Sequence, residues 1–272
     1  MLFDCYITQS NTYTIDFIEL NSINTNYTIM SNVIAIISQK GGAGKSTVTS
    51  LLANMFYFIL GFRIAVIDAD YPQSSISKKR IKELEVIAAD EQLKKVYDKI
   101  YTHREPYPIL TTNLTSCTDK IIQIKDDFDF VFIDVTGTMN HPCFTDILMQ
   151  VNHFLIPVMQ DDYSIISGIE FYQLIEQTIR PVSNELVDAN LFFNRIPRIH
   201  KIGALLDDLR KHFDFFPFYL SNYVCYERAF RSTIFPIPMK KMEAIKLMEF
   251  IQRTQTIWEK NQAKVNQALA LH

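Results

Sequence analysis

The chain has 272 residues, a formal net charge of −3 and a hydrophobic fraction of 48%. This length suits one large α/β domain, or at most two small ones, and the apolar content supports a sizeable core, which excludes wholesale disorder. No apolar run reaches the roughly 18 residues of a membrane-spanning helix, and the four cysteines form no C-x-x-C pair of the kind that binds zinc.

The first 29 residues differ in composition from the rest of the chain. They contain no lysine or arginine and are rich in Asn, Thr, Ile and Tyr. A secretory signal requires a positively charged start and a continuous apolar core, so this composition does not predict one. Met30 stands just before the first strongly apolar run, and our hypothesis is that it is the native start. Residues 1–29 are then an extension, and 30–272 form a single domain.

A glycine-rich segment, SQKGGAGKST at 38–47, follows the apolar run 33–37 and precedes a helical pattern at 48–60. A strand, a glycine-rich turn and a helix N-terminus make a phosphate cradle, because backbone N–H groups and the helix dipole point at the anion. Glycine lets the backbone approach closely. Lys45 can reach the β- and γ-phosphates, and the Ser46 hydroxyl can ligate Mg²⁺. The predicted nucleotide contacts are Gly41, Gly42, Ala43, Gly44, Lys45, Ser46 and Thr47.

Two positions in this segment depart from the general phosphate-loop pattern. Gln39 stands where that pattern requires glycine, and a second lysine, Lys40, precedes the glycines. The string K-G-G-x-G-K-[ST] resembles the deviant Walker A motif of the ParA/MinD family of dimeric ATPases. In that family the extra lysine reaches across the dimer to the partner's nucleotide. The resemblance implies an ATP-dependent homodimer in which Lys40 and Lys45 both act on the triphosphate as catalytic residues.

The next apolar run, 63–67, ends in the sequence DADYPQ at 68–73. Open α/β sheets bind ligands at the carboxyl ends of their parallel strands, where these carboxylates lie. ParA relatives carry D-x-D-P-Q here. The inserted Tyr71 gives D-x-D-Y-P-Q, a form similar to that of ParA-type proteins of conjugative elements. By this resemblance Asp68 orients or activates the attacking water near Mg²⁺. Asp70 is either functional or a cap for the following turn or helix.

Helix is predicted over 74–104 from apolar residues at three- and four-residue spacings, then a short strand at 107–111 and a helix at 117–125. The run FDFVFID at 128–134 follows. An apolar strand that ends in aspartate is the Walker B arrangement, so Asp134 is predicted to hold Mg²⁺ through a water. Family members continue with a proline-containing glycine turn, whereas here Gly137 alone permits a close approach to the γ-phosphate. The predicted metal-binding residues are Ser46, Asp68 and Asp134.

Later elements are predicted as strands at 153–157 and 191–194, helices at 164–179 and 202–212, and extended chain at 215–219. Asn194 ends its strand, and in relatives an asparagine after this strand contacts the adenine base. An amide both donates and accepts hydrogen bonds, which suits a purine edge. The alternative is that Asn194 simply forms a turn.

The carboxy-terminal part, 195–272, is basic, with 13 Lys and Arg residues against 7 Asp and Glu. A long helix is predicted over 240–270. Charge alone favours nucleic-acid binding and a solvated helix face about equally. In ParA-type relatives, basic residues of this region bind DNA without reading sequence, so the candidates are Arg228, Arg231, Lys240, Lys241 and Lys246.

The predicted architecture is α/β: a mostly parallel, doubly wound sheet flanked by helices, in a single P-loop NTPase domain. The resemblance implies a cytoplasmic, Mg²⁺-dependent ATPase with slow, partner-stimulated turnover. Such a protein positions or partitions the DNA of a plasmid, chromosome or conjugative element, with a ParB-like activator as its partner. If it binds DNA, it is associated with the nucleoid.

Two alternative functions remain open from the sequence. A MinD-like protein positions itself on a membrane surface and needs a basic amphipathic anchor, whereas no lysine or arginine follows Lys264. A regulatory protein that binds ATP with little turnover is the other. A tyrosine kinase is disfavoured because the last 46 residues contain no tyrosine, and a metal-cluster carrier because paired cysteines are missing.

Overall fold

The structure is a computed structural model that describes residues 32–135, 141–183, 187–197, 202–222, 232–236 and 263. The predicted extension, 1–29, lies outside this range. Of the helix predicted at 240–270 the structure describes only residue 263, which is helical. The described residues form seven strands: β1 (Asn32–Ile36), β2 (Ile64–Ala69), β3 (Ile109–Thr111), β4 (Phe130–Val135), β5 (His153–Val158), β6 (Asp188–Ile196) and β7 (Phe215–Ser221).

Seven α-helices are found in the same residues: α1 (Lys45–Phe58), α2 (Ser75–Ala89), α3 (Glu91–Ile100), α4 (Leu114–Ile124), α5 (Phe144–Leu148), α6 (Asp162–Leu174) and α7 (Gly203–Leu209). A 3₁₀ turn, Lys125–Asp127, follows α4, and a π turn, Ile175–Ile179, follows α6. The region predicted as helical, 74–104, contains two helices because Asp90 ends α2 and begins α3. Its side chain accepts hydrogen bonds from the N–H groups of Gln92 and Leu93 at 2.8 and 3.1 Å.

The strands lie in the order β3-β2-β4-β1-β5-β6-β7, and every neighbouring pair is parallel. Parallel strands joined by helices are buried on both faces, which is why they read as nearly continuous apolar runs. The chain crosses from β4 to β5, which lie on opposite sides of β1. Ligands bind beside such a crossover, at the carboxyl ends of the strands. This confirms the predicted doubly wound α/β architecture.

Residues along each strand alternate between two apolar layers because successive side chains point to opposite faces. One layer joins Ile34, Val66 and Phe132 to α1; the other lies on the far face and includes residues of α4 to α7. On the far face, Gly168 lets α6 approach the sheet closely. A Cβ atom there would lie 2.3 Å from a methyl carbon of Val158.

A short segment, Ser232–Phe235, is anchored on α1, α2 and α3. Ile234 and Phe235 are buried against Ile87 and Leu93. The Asn54 amide donates to the carbonyls of Ser232 and Phe235 at 3.0 and 2.8 Å. Since the side chains of Arg80 and Glu83 also bind Thr233, this part of the carboxy-terminal region is held by both apolar and polar contacts.

Candidate functional site

The glycine-rich loop connects the end of β1 to the start of α1, as predicted. Gly42 and Gly44 have φ angles of 78° and 86°, which disfavour any residue with a Cβ atom. Gly44 is also the N-cap of α1, and no side chain caps this helix. The first N–H groups of α1 therefore have no side-chain acceptor at the point where Lys45 and Ser46 begin the helix. Such an N-terminus suits a phosphate group.

Asp68 and Asp134 lie side by side, because β2 and β4 pair in parallel with these two residues in register. Each follows the inward-facing Val66 or Phe132 by two residues, so both carboxylates lie on the α1 face of the sheet. Both side chains are fully buried. The sequence predicted the two strand ends separately, and the register of the sheet brings them together beside the loop.

The buried carboxylates of Asp68 and Asp134 have oxygens without a hydrogen-bond partner in the protein. Oδ1 of Asp68 and both oxygens of Asp134 make no hydrogen bond of good geometry. Burial, above all, raises the pKa of Asp134 to about 7; the Ser46 hydroxyl is close enough to lower it, while the carboxylates of Asp68 and Asp70 raise it. An uncompensated buried carboxylate is costly, and oxygen ligands are what Mg²⁺ prefers. The residues present thus fit a bound Mg²⁺ ion.

The second oxygen of Asp68 has a structural role that sequence reasoning missed. Oδ2 accepts hydrogen bonds from the N–H groups of Ile76 and Ser77 at 3.1 and 2.8 Å, so it caps the N-terminus of α2. Ser74, the residue at the N-cap position, has a positive φ of 41° and makes no side-chain cap. A capping aspartate seven residues before the first residue of the helix has no local sequence signature. Asp70 and Gln73 are half-buried and exposed in the intervening turn.

Lys40 forms an ion pair within its own chain. Its ammonium lies 2.6 Å from Oδ1 of Asp161, and both side chains are about a third exposed, at 33% and 40%. The same oxygen of Asp161 accepts the N–H of Ser164 at 3.0 Å and so caps α6. The hydrogen bond from Lys40 is the main cause that lowers the pKa of Asp161. The sequence singled out Lys40 but not its partner.

Asn194 and Arg195 contact the glycine-rich loop from the end of β6. The Asn194 side chain is buried, and its Nδ2 donates to the carbonyl of Ala43 at 2.7 Å. Nη1 of Arg195 donates to the carbonyl of Gly42 at 2.8 Å. The structure therefore places Asn194 at the nucleotide cradle, while its contact with adenine remains a prediction.

A sequence model of the CobQ/CobB/MinD/ParA nucleotide-binding domain matches residues 34–265, which span the whole site. The chain belongs to this family. The match confirms the ParA/MinD resemblance that the glycine-rich loop suggested, and it makes the chain a nucleotide-binding protein of the P-loop type.

Solved structures of the ParA/MinD family share the fold. A putative plasmid partition protein from Borrelia burgdorferi B31 bound to AMPPNP has a TM-score of 0.58 at 17% identity, over 82% of this chain and 99% of that one. The cell division protein MinD from Aquifex aeolicus has a TM-score of 0.50 at 18% identity, over 76% and 88% of the two chains. These identities are low, so the likeness concerns the fold alone.

Curated relatives match only part of their length. An uncharacterized ATP-binding protein of Methanocaldococcus jannaschii is 26% identical over 166 residues, or 55% of this chain and 61% of that protein. An iron-sulfur cluster carrier protein of Clostridium perfringens is 39% identical over 77 residues, or 27% of each protein. The chain thus spans less than two thirds of the length of these curated relatives.

Several predicted site residues lie outside the described part of the chain. They are Gly137, two positions beyond the end of β4 in the sequence, and the DNA-binding candidates Arg228, Arg231, Lys240, Lys241 and Lys246. Among the residues that the structure does describe, no helix is long and apolar enough to cross a membrane.

Proposed function

We propose that this ParA/MinD-family protein is an ATP-dependent, dimerising ATPase that positions or partitions DNA and hydrolyses ATP to ADP and phosphate. One observation carries the proposal: two buried, register-paired carboxylates lie beside a phosphate loop that contains two lysines. The likeness in fold to a putative plasmid partition protein solved with AMPPNP supports it. We further propose that residues 30–272 form the ATPase domain and that it acts in the cytoplasm.

The triphosphate binds over the glycine-rich loop. Backbone N–H groups of the loop and of the first turn of α1 donate to the phosphate oxygens, and the ammonium of Lys45 offsets their charge. The Ser46 hydroxyl, Asp134 and Asp68 would hold Mg²⁺, and the bound ion would supply positive charge that offsets the charge developing during transfer. Ionisation of Asp134 is required for this, and its raised pKa couples binding of the ion to loss of a proton.

Asp68 orients the water that attacks the γ-phosphate. Its Oδ2 is fixed by the two N–H groups of α2, so the carboxylate is rigid. Its Oδ1 makes no hydrogen bond to the protein and can accept one from a water. A rigid acceptor that already faces the site costs little reorganisation during the reaction. Asp68 is thus both a positioned base and the cap of α2.

Lys40 is the residue through which two protomers sense each other's nucleotide. Its partial exposure leaves the ammonium accessible from outside the protomer. Exchange of the Asp161 carboxylate for a more highly charged triphosphate on a second subunit strengthens the attraction. Since this contact exists only with ATP bound, the nucleotide biases the monomer–dimer equilibrium. Hydrolysis then releases the dimer.

Retention of the protein on nonspecific duplex DNA at low salt, with and without ATP, tests the proposed function. We expect ATP-dependent retention that weakens with salt, with a logarithmic slope of about −0.9 per phosphate neutralised. Alanine at Arg228, Arg231, Lys240, Lys241 and Lys246 together should abolish it. A matched control removes five exposed charges elsewhere: Lys82, Lys94, Lys95, Lys99 and Arg210.

The same experiment with vesicles of anionic lipid separates the alternatives. ATP-dependent binding to vesicles but not to DNA would replace the proposal with membrane-surface positioning of the MinD kind. Binding to neither surface, together with negligible turnover when nucleotide is bound, would leave a regulatory ATP-binding protein. A ParB-like activator, if encoded beside this chain, should accelerate hydrolysis only while DNA is present.

A further inference from the structure

Two side chains at the end of β6 bind consecutive carbonyls of the phosphate loop. Asn194 donates to the Ala43 carbonyl at 2.7 Å, and Arg195 donates to the Gly42 carbonyl at 2.8 Å. About 150 residues of chain separate donors from acceptors, at 151 and 153 positions. The contact therefore connects the glycine-rich loop, which follows the central strand β1, to β6, which lies two strands away on the far side of β5.

These two bonds set the direction of the loop's peptide groups. In a planar trans peptide, the carbonyl of one residue and the N–H of the next project in opposite directions. The Gly42 and Ala43 carbonyls point towards the end of β6, so the N–H groups of Ala43 and Gly44 point away from it. N–H groups of a glycine-rich loop that share a direction form the concave site that binds phosphate.

Asn194 and Arg195, which together we call the clamp, are themselves held in a defined conformation. Oδ1 of Asn194 accepts the backbone N–H of Arg195 at 2.9 Å, and Nδ2 faces a carbonyl oxygen, so only one orientation of the amide satisfies both contacts. Arg195 has a φ of 60°, which is uncommon for a residue with a side chain. Such strain persists where the surroundings over-determine it, and it is concentrated at functional sites.

The loop and the clamp are also packed against each other. A Cβ atom on Gly44 would lie 2.6 Å from Nδ2 of Asn194. Glycine at position 44 is therefore required twice, by its own positive φ and by the amide beside it. Asn194 is buried, so this close contact is not made by a mobile surface group.

We propose that Asn194 and Arg195 are positioning residues that hold the phosphate loop in the form that binds a polyphosphate. The proposal rests on the nucleotide site described above, but it differs from the role of Asn194 expected from relatives, which is contact with adenine. A clamp on the loop acts on any triphosphate, with or without a base. A contact with adenine acts only on nucleotides that carry adenine.

Binding of inorganic tripolyphosphate and of ATP to the full chain, measured by titration calorimetry, distinguishes the two roles. For Asn194→Ala and for Arg195→Gly we expect both affinities to fall by similar factors, about tenfold each. Arg195→Gly removes the guanidinium while accepting the positive φ. Arg195→Lys should recover part of the loss. Asn222→Ala, at an exposed position after β7, is the control and should bind like the parent protein.

A second variant and a second measurement distinguish loss of the clamp from misfolding of the whole chain. Asn194→Asp keeps the acceptor for the N–H of Arg195 but places an oxygen against the Ala43 carbonyl, so it should weaken tripolyphosphate more than Asn194→Ala does. Amide hydrogen exchange without ligand should be faster at Ala43 and Gly44 in these variants and unchanged in β1 and β4.

Three results would overturn the clamp. In the first, Asn194→Ala weakens ATP but not tripolyphosphate, which assigns the residue to adenine alone. In the second, the variants bind both ligands as the parent does, although the parent binds them well. In the third, the parent binds neither ligand, which removes the nucleotide site together with the clamp. The DNA-retention experiment is separate, and its failure leaves the clamp standing.

Discussion

The ammonium of Lys40 lies 2.6 Å from the carboxylate of Asp161, although 121 residues separate the two in the chain. The lysine that distinguishes this loop from other phosphate loops is thus paired with the N-cap of α6. The proposed dimerisation through Lys40 would first have to break this pair. The ion pair within one protomer and the proposed contact with the partner's nucleotide compete for one side chain.

Asp161→Asn should strengthen ATP-dependent dimerisation. Asparagine can still accept the N–H of Ser164 and cap α6, but it no longer attracts the ammonium of Lys40. A partly exposed ion pair contributes about 0.2–1 kcal/mol and each dimer breaks two of them, so the dimer dissociation constant should fall by about two- to thirtyfold. Analytical ultracentrifugation with a non-hydrolysable ATP analogue measures it. An unchanged or larger constant would show that the pair does not restrain Lys40.

Asp68→Asn and Asp68→Ala should separate the two roles of this residue. Asparagine keeps an oxygen that can cap α2 but loses the charge, so turnover should fall by about a hundredfold while stability changes little. Alanine should lose turnover and also about 1 kcal/mol of unfolding free energy, since the N–H groups of Ile76 and Ser77 lose their acceptor. Both variants should accumulate the ATP-bound dimer. Normal hydrolysis in either would remove Asp68 from catalysis.

Stability without ligands should depend on pH through Asp134. Its pKa is raised to about 7 in the folded chain from 3.8, so the folded state binds more protons than the unfolded state between these values. The free energy of unfolding therefore falls as pH rises from about 4 to 7, and this contribution is constant above 7. Asp134→Asn should remove this decline and raise the melting temperature at pH 8 in EDTA. A parallel pH profile in parent and variant would contradict the assignment.

Arg80→Ala should destabilise the fold at the carboxy-terminal segment. The guanidinium donates to the carbonyl of Thr233 at 2.7 Å, to its hydroxyl at 2.9 Å and to the carbonyl of Tyr107 at 3.1 Å. Its loss leaves these acceptors without their donor, which costs about 2 kcal/mol in urea unfolding. Arg80→Lys should lose less because one ammonium can serve one or two of them. Equal stability of all three proteins would mean that the apolar contacts of Ile234 and Phe235, with the hydrogen bonds of Asn54 and Glu83, hold the segment without Arg80.

Local patterns in the sequence predicted the fold and the centre of the site. The glycines at 42 and 44 and the strands that end in Asp68 and Asp134 are readable because each depends on a few adjacent residues. The parallel pairing of the strands brings their carboxyl ends to one edge of the sheet. It therefore places both strand ends beside the loop. The structure describes these elements within two or three residues of the predicted limits in most cases.

The contacts between distant parts of the chain could not be predicted in the same way. Asp161 as partner of Lys40, Asp68 as cap of α2 and Asn194 as partner of Ala43 all depend on the packing of separate elements. No sequence spacing or propensity predicts such a pair, because a local role, such as a cap or a turn former, already accounts for a residue without its distant partner. The sequence singled out Lys40, Asp68, Asn194 and Ala43, but each of them for a different reason.

Light scattering of Lys40→Ala with a non-hydrolysable ATP analogue tests the central claim most directly. The account predicts that the parent chain forms a dimer with the analogue and a monomer without it. The variant should bind the analogue with affinity within a few fold of the parent but remain monomeric, because its missing ammonium acts on the other subunit. A variant that still dimerises fully with the analogue would contradict the account.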